Sequence, residues 1–483
     1  MAEAAPPSTA QLSLDSPEGR LALLAAILGS AMPFLDATAV NVALPAMARE
    51  MGTSFAGFQW ILNAYLIALS ALVLPGGALS DRWGRRRAFQ RGAVAFAAAS
   101  VLCGIAPDSG TLIAARGLQG AAAALLIPSS LSVVQTSFRV QDRGRALGLW
   151  SGITGLSTLA GPLFGGWMVD AISWRAIFWL NLPLGAWAIW VARRAVAPTR
   201  RDRRPMDTAG AVLAAFMLGG FVFAMTQGPE WGWTHRGVLA AAAVAVLAGI
   251  GFVDVERNHA RPMLPFRFFR HRGFLGANLV TTGVYFALSG NFFLLTIQMQ
   301  RVLGYSAFGT GLALSPITLI MLLVSPRAGK WGGIHGPRLI LTAGALVAAV
   351  GALLLSRVGE GTGYLTHLLP GVCFFGAGLA LIVAPLTSAA LSSVEDDYSG
   401  VAAGVNNAIA RSAQLLAVPL LPLLAGISGM ENVGGRAFSL GFQSAQRWNA
   451  GILLATAVLA AMVLRPGAAS ETRDWMESRG APG

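Results

Sequence analysis

Apolar residues run through this chain in long blocks, broken by short polar stretches. Neither the two-residue alternation of a half-buried strand nor the amphipathic stripe of a soluble helix dominates. The blocks are about 20 residues long, the length of helix that crosses a bilayer's hydrocarbon core. They predict fourteen spanning helices, near 21–45, 57–79, 88–107, 111–134, 146–168, 174–194, 208–226, 237–254, 274–297, 308–325, 338–356, 366–391, 401–426 and 447–465. Between the eighth and ninth, Glu256 to Arg272 mixes Arg with aromatics and Pro, the composition of an interfacial helix. The longest loop on the far side is read at 427–446. The fold class is an all-α polytopic membrane protein.

Composition agrees. Of 483 residues, 55% are hydrophobic and 12% are charged. Soluble domains carry about 25% charged residues, so this chain has too little charge to coat a water-soluble surface of its size. The net charge of +13 does not mark a nucleic-acid binder, because the basic residues sit in clusters between the apolar blocks. Counted loop by loop, Lys and Arg fall overwhelmingly on one side, which places both termini in the cytoplasm and the protein in the cell's inner (plasma) membrane. The most basic loop, RRAVAPTRRDRR at 193–204, reads as a linker between helix bundles. Residues 1–20 form a cytoplasmic tail rather than a cleaved signal, since the apolar block from Leu21 exceeds a ~7–15-residue signal core. Two cysteines in separate helices and scattered histidines imply neither a metal site nor a disulfide framework.

Four clusters carry chemistry. The loop after the second block reads GALSDRWGRRR, where Gly84 suits a tight turn, Gly77 suits close helix packing, and Asp81 beside Arg82, Arg85 and Arg86 builds a charge network at the membrane edge. A related stretch, GKWGGIHGPR, follows the tenth block, a faint repeat of the kind left by two related halves. The first block carries Asp36 in LDATAVNVALP, with Thr38 and Asn41 nearby. A carboxylate in mid-membrane costs roughly 2.5–3.5 kcal/mol on insertion scales, so it is paired, hydrated or functional. In the fourth block, LIAARGLQG, Arg116 and Gln119 share a helix face. The fifth block reads GITGLSTLAGPLFGGW, where Gly161 and Gly165 form a G-x-x-x-G face and Pro162 adds a kink. Each cluster also has a plain structural reading: a solvated loop, a buried Asp–Arg pair, tight packing.

These stretches resemble the major facilitator superfamily, and specifically its fourteen-helix drug:proton antiporter branch. WRAIFWLNLPLG from Trp174, GPEWGW from Gly228 and LGYSAFGTGLALSP from Leu303 extend the resemblance from Leu35 to Pro316. Further on, NNAIARSAQLLAVPL keeps Asn407 and Arg411 but lacks the expected Gly pair. The resemblance implies two six-helix bundles, at 21–194 and 274–465. Between them lie a linker and two inserted helices at 195–273, and a cytoplasmic tail follows at 466–483. It implies that Asp81, Arg82 and Arg85 latch a cytoplasmic gate, and that Asp36 and Arg116 couple to protons. Gly155, Gly161, Pro162, Gly165 and Gly166 would form the motif of exporters.

Other polar and aromatic residues inside blocks are cavity candidates: Trp60, Asn63, Gln119, Tyr285, Asn291, Gln298, Asn406 and Gln414, with Thr38, Asn41, Asn407 and Arg411. The function so implied is drug:proton antiport, exporting hydrophobic or cationic drugs, dyes or antibiotics by alternating access. The expected partners are such a small molecule, protons and membrane lipid, with the protein working as a monomer. The absence of a G-x-x-x-x-G-K-S/T stretch makes an ion gradient the energy source, with no cofactor. A metabolite symporter would share the fold and gate. A membrane enzyme or sensor would need a reactive constellation or signalling domain that this sequence does not offer.

Overall fold

The computed structural model describes residues 12–197, 207–259, 264, 266–391, 399–427 and 435–464. Apart from a single bridge between Leu12 and Phe138, the described residues are helical or in turns. A first group comprises α1 (Pro17–Met51), α2 (Phe55–Trp83), α3 (Arg85–Gly104), α4 (Ser109–Ser137), α5 (Val140–Ala171), α6 (Arg175–Trp179) and α7 (Asn181–Ala195). Then come α8 (Thr208–Trp231) and α9 (Arg236–Asn258). A second group comprises α10 (Arg272–Ile297), α11 (Ala307–His335), α12 (Pro337–Leu355), α13 (Leu369–Leu391), α14 (Ser399–Leu424) and α15 (Gly435–Val463).

Local chemistry sets many of the ends. The Ser16, Ser54, Asp108, Asp207 and Ser306 side chains each accept from the backbone N–H three residues on, the usual helix N-cap. Gly52 closes α1 in the left-handed region (φ 61°, ψ 32°). The α6–α7 break follows from Pro183, which has no N–H for the carbonyl four residues earlier. Treated as one segment, Arg175–Ala195 is long and apolar enough to cross a membrane.

Twelve segments among the described residues meet that standard of length and apolarity. All fourteen predicted blocks are helical, but α3 and α5 are not among the twelve. Arg85, Arg86, Arg87 and Arg91 open α3, and Asp142, Arg143 and Arg145 open α5. The chain is a multi-pass membrane protein on this evidence. Two smaller expectations are corrected. No single interfacial helix fills 256–272: α9 continues to Asn258 and a 3-10 turn covers Phe266–Arg270. The far-side loop is shorter than 427–446, because α15 begins at Gly435. Two polar side chains of that stretch, Ser439 and Gln446, are buried in the structure, where Gln446 bonds to α10 and Ser439 to the π-turn Gln298–Val302 after it.

The two groups are built alike. In the first, α2 and α3 pack on α4, α1 packs on α5 and α7, and α3 packs on α7. In the second, α11 and α12 pack on α13, α10 packs on α14 and α15, and α12 packs on α15. The contacts between groups match too: α5 meets α11, and α14 meets α2. Exchanging the halves maps one contact onto the other. The short turns also correspond. Gly84 (φ 86°, ψ 132°) alone links α2 to α3, and Gly336 (φ 80°, ψ 158°) alone links α11 to α12. Both conformations are open essentially to glycine only. The α8–α9 pair lies outside this scheme and leans on α2 and α14 through α8.

Near the α1–α2 connection one apolar core runs through both groups, with Phe55 meeting Phe58, Phe293 and Phe438. Away from it the first group has a core of its own, against which Ala408 of α14 packs.

Candidate functional site

Asp36 lies near the middle of α1, fully buried. Helix α4 brings Arg116 and Gln119 to it, α3 brings Ser100, and the break at Pro183 lets the first residue of α7, Asn181, point inward. Arg116 Nη1 donates to Asp36 Oδ2 at 2.6 Å and to Gln119 Oε1 at 2.5 Å. Gln119 Nε2 and Asn181 Nδ2 each donate to Asp36 Oδ1 at 2.9 Å. The same two amides reach Ser100 Oγ at 2.8 and 3.2 Å, and that hydroxyl donates to the Phe96 carbonyl. Arg116 Nε donates to the Ile61 carbonyl, and its guanidinium carbon stands 4.3 Å from the centroid of the Tyr65 ring.

The carboxylate therefore meets three donors from two helices, Arg116 and Gln119 on α4 and Asn181 on α7. Buried charge is tolerated when it is paired and its lone pairs are filled, and here both conditions hold. The cluster is electrically balanced only while Asp36 is ionised. A proton on Asp36 would leave Arg116 uncompensated and put an O–H among groups that now all donate. Asn181 Oδ1 is buried with no partner among the described residues. A turn of that amide would offer the protonated acid an acceptor.

Sequence reasoning named Asp36, Arg116 and Gln119 but missed Asn181 and Ser100. Asn181 stood in view as the polar residue of WRAIFWLNLPLG. Ser100 ends an Ala-rich stretch and gave no signal.

The glycine motif of α5 faces two ways. A Cβ on Gly161 would fall 1.9 Å from Thr38 Oγ1, and one on Gly165 would fall 2.6 Å from Ala39 Cβ, so both seat α5 on α1. A Cβ on Gly166 would meet the Ala307 carbonyl at 2.4 Å, and one on Gly311 would meet the Pro162 carbonyl at 2.3 Å, so this face seats α5 on α11. Gly155 stands in open space and Gly152 likewise. Asp170, at the end of α5, accepts from the Ala307 and Phe308 N–H groups at 3.2 and 2.8 Å, capping α11 across the interface. Gln300 Nε2 and Arg301 Nη2 donate to the Val42 and Pro45 carbonyls of α1, and Gln59 Nε2 donates to the Val418 carbonyl. These bonds join the halves at the end where α1 turns into α2.

The loop motif is partly corrected. Gly76, not Gly77, is the close-approach residue: a Cβ on Gly76 would lie 2.1 Å from the Ala124 carbonyl, whereas Gly77 keeps an ordinary 3.7 Å from Pro128. Gly84 makes the turn as expected. Arg82 is exposed, and Arg85 and Arg86 are half-buried. The side chain of Asp81 lies outside the described residues.

The cavity candidates separate. Thr38 and Asn41 bond back to α1 carbonyls. Trp60 turns to the outer pair, donating to Gln227 of α8 and packing on Phe223, so its polar atom is committed away from the space between the halves. Asn291 accepts from Gln446, and Gln298 donates to Ser439, both within the second group; these two are interhelical contacts rather than cavity lining. Asn63 is fully buried, with neither amide atom partnered among the described residues. Asn406 donates to Asn278 and Thr281. Tyr285, Asn407, Arg411 and Gln414 remain half-buried.

The site is a buried charge cluster in one helical group, with α5 seated closely against α11 of the other. The residues 26–418 match the family model of the Major Facilitator Superfamily, and the chain belongs to that superfamily. It is 34% identical over 390 residues to the multidrug resistance protein Stp of Mycobacterium tuberculosis, covering 80% of this chain and 72% of that one. It is 35% identical over 476 residues to the puromycin resistance protein pur8 of Streptomyces alboniger, covering 94% and 93%. A solved structure concerned with substrate recognition in proton dependent oligopeptide transporters shares the fold, with a TM-score of 0.65 at 12% identity, over 92% of this chain and 98% of the other. The protein is a transporter rather than an enzyme.

Proposed function

We propose that this protein exports hydrophobic small molecules, antibiotics among them, in exchange for protons. The two helical groups act as the bundles of an alternating-access transporter, and α8 and α9 are the inserted pair. In this reading α3 and α5 also cross the membrane, their charged first turns lying at its cytoplasmic edge, for fourteen crossings in all. Both termini then face the cytoplasm of a bacterial inner membrane, and the closed α1–α2 end faces outward. One monomer is a complete unit.

The observation that carries the proposal is the buried Asp36–Arg116 pair. A proton arriving from outside neutralises Asp36, unbalances Arg116 and weakens the hold of α4 and α7 on α1. Helix α1 also packs against α5, whose other face seals α11. A change at Asp36 is therefore one helix away from the interface that must open, and a ligand that prefers one state shifts the balance only by its differential affinity. The names of the relatives, multidrug and puromycin resistance proteins, support a drug as cargo.

The test is transport in sealed proteoliposomes under an imposed pH gradient, with puromycin and a panel of hydrophobic dyes. Movement opposite to the proton in the native protein, lost in Asp36→Asn, is expected. Movement with the proton, or movement independent of the gradient, would refute antiport.

A further inference from the structure

Two arginines lie deep within spanning helices, and they are treated differently. Arg116 has its carboxylate. Arg411, midway along α14, has no ion pair among the described residues. Its Nη1 donates to Gln414 Oε1 at 3.0 Å, and its guanidinium carbon stands 4.8 Å from the centre of the Phe34 ring on α1. It therefore reaches from the second group to the first, two residues along α1 from Asp36. Tyr65 of α2 and Tyr285 of α10 lie within range of its field. Arg411 and Asn407, one turn before it, are half-buried, so this face is not sealed by packing.

No carboxylate pairs with it among the described residues. Asp36 is engaged by three other donors. A ring face offers a guanidinium partial compensation only, and an amide oxygen carries no net charge. A cation left uncompensated in the membrane interior persists where it is hydrated or where it meets a ligand of opposite charge. The planar fork of Arg suits a carboxylate, which it can bind with two parallel hydrogen bonds.

We propose that Arg411 selects the charge of the cargo: the protein binds aromatic amphiphiles bearing a single carboxylate, with the anion on Arg411 and the rings against Phe34 and Tyr285. This deepens the export reading and rests on it for direction of movement, and it departs from the hydrophobic or cationic cargo expected from sequence by giving a hydrophobic cargo a negative charge. It also changes the electrical character of the cycle. With one proton inward through Asp36, export of a monoanion moves two positive-charge equivalents inward. A neutral cargo moves one, and a monocation moves none.

A matched set of probes tests it: 9-anthracenecarboxylate, 9-anthracenemethanol and 9-anthracenylmethylammonium, which share one ring system. Binding is measured to the full chain in lipid nanodiscs, with empty nanodiscs subtracted. The native protein is expected to bind the carboxylate at least about tenfold more tightly than the alcohol, and Arg411→Gln to erase that preference while leaving the alcohol within about threefold. Arg411→Lys retains the charge without the fork and is expected to keep part of the preference, which carries the test if the Gln variant does not fold. Tightest binding of the ammonium, an equal loss of all three probes in Arg411→Gln, or no carboxylate binding to the native protein would overturn the inference. Binding needs no gradient, so it is judged apart from export. Arg411-dependent binding of the carboxylate without pH-driven movement in proteoliposomes would uphold the inference and sink the export reading.

Discussion

Arg116 Nη1 lies 2.6 Å from Asp36 Oδ2, and the two side chains are 1% and 0% exposed. Removing one member strands the other as an unpaired buried charge, which costs about 3–5 kcal/mol, whereas replacing both with apolar residues is often neutral or stabilising. Asp36→Asn and Arg116→Met are each expected to lower the unfolding temperature in detergent. The double variant Asp36→Leu/Arg116→Met is expected to recover most of it, yet to remain inactive in pH-driven transport. Recovery of transport in the double variant would reduce the pair to packing.

Asn181 is the residue that reading the sequence passed over. Its amide supplies one hydrogen bond to a charged group, worth about 1.5–3 kcal/mol. Asn181→Val is expected to slow pH-driven efflux by at least about tenfold while the fold persists. An unchanged rate would show that Arg116 and Gln119 alone organise the carboxylate.

Asp170 holds the closed face through two backbone hydrogen bonds to α11. At about 1 kcal/mol for each bond, Asp170→Ala is expected to shift the equilibrium toward the open face by about fivefold or more. A single cysteine replacing the buried Phe293, in a background without Cys103 and Cys373, reports the shift. Its reaction with a membrane-impermeant thiol reagent is expected to speed up in Asp170→Ala. Equal labelling with and without Asp170 would place the seal elsewhere.

Two glycines rank in a stability test. Gly84 has φ 86° and ψ 132°, and Gly52 has φ 61° and ψ 32°. The first conformation is nearly closed to any Cβ and costs about 1–3 kcal/mol, and the second is left-handed helical and costs about 1–2 kcal/mol. Gly84→Ala is therefore expected to lower the unfolding temperature more than Gly52→Ala. The reverse order would mean that the α2–α3 turn relaxes into another shape.

The helices and their order were legible because a bilayer enforces them. Backbone polar groups in hydrocarbon must be satisfied within the segment, so a block of about 20 apolar residues becomes a helix whatever its neighbours do. Asp36, Arg116 and Gln119 were legible for a related reason: polar groups are rare enough in such blocks to stand out. The α5 glycines were legible through their spacing, although Gly76 and Gly77, equivalent on paper, were told apart only by where Ala124 came to lie.

Pairing was not legible. One-dimensional spacing does not say that Asn181 of α7 and Ser100 of α3 converge on Asp36, or that Trp60 turns outward to α8. It does not say that Asn291 and Gln298 spend their hydrogen bonds on α15, or that Asp170 caps a helix of the other half. It offers a buried Asp–Arg pair as one reading, but not that Arg411 finds no acid among the described residues. Hydrophobic transfer depends on composition along a segment, and so the sequence by itself determined the all-α membrane class and the positions of its helices. Hydrogen bonds and ion pairs depend on distances of a few ångströms between helices remote in the chain, and so only the tertiary structure decided which polar groups are satisfied and which are left to act.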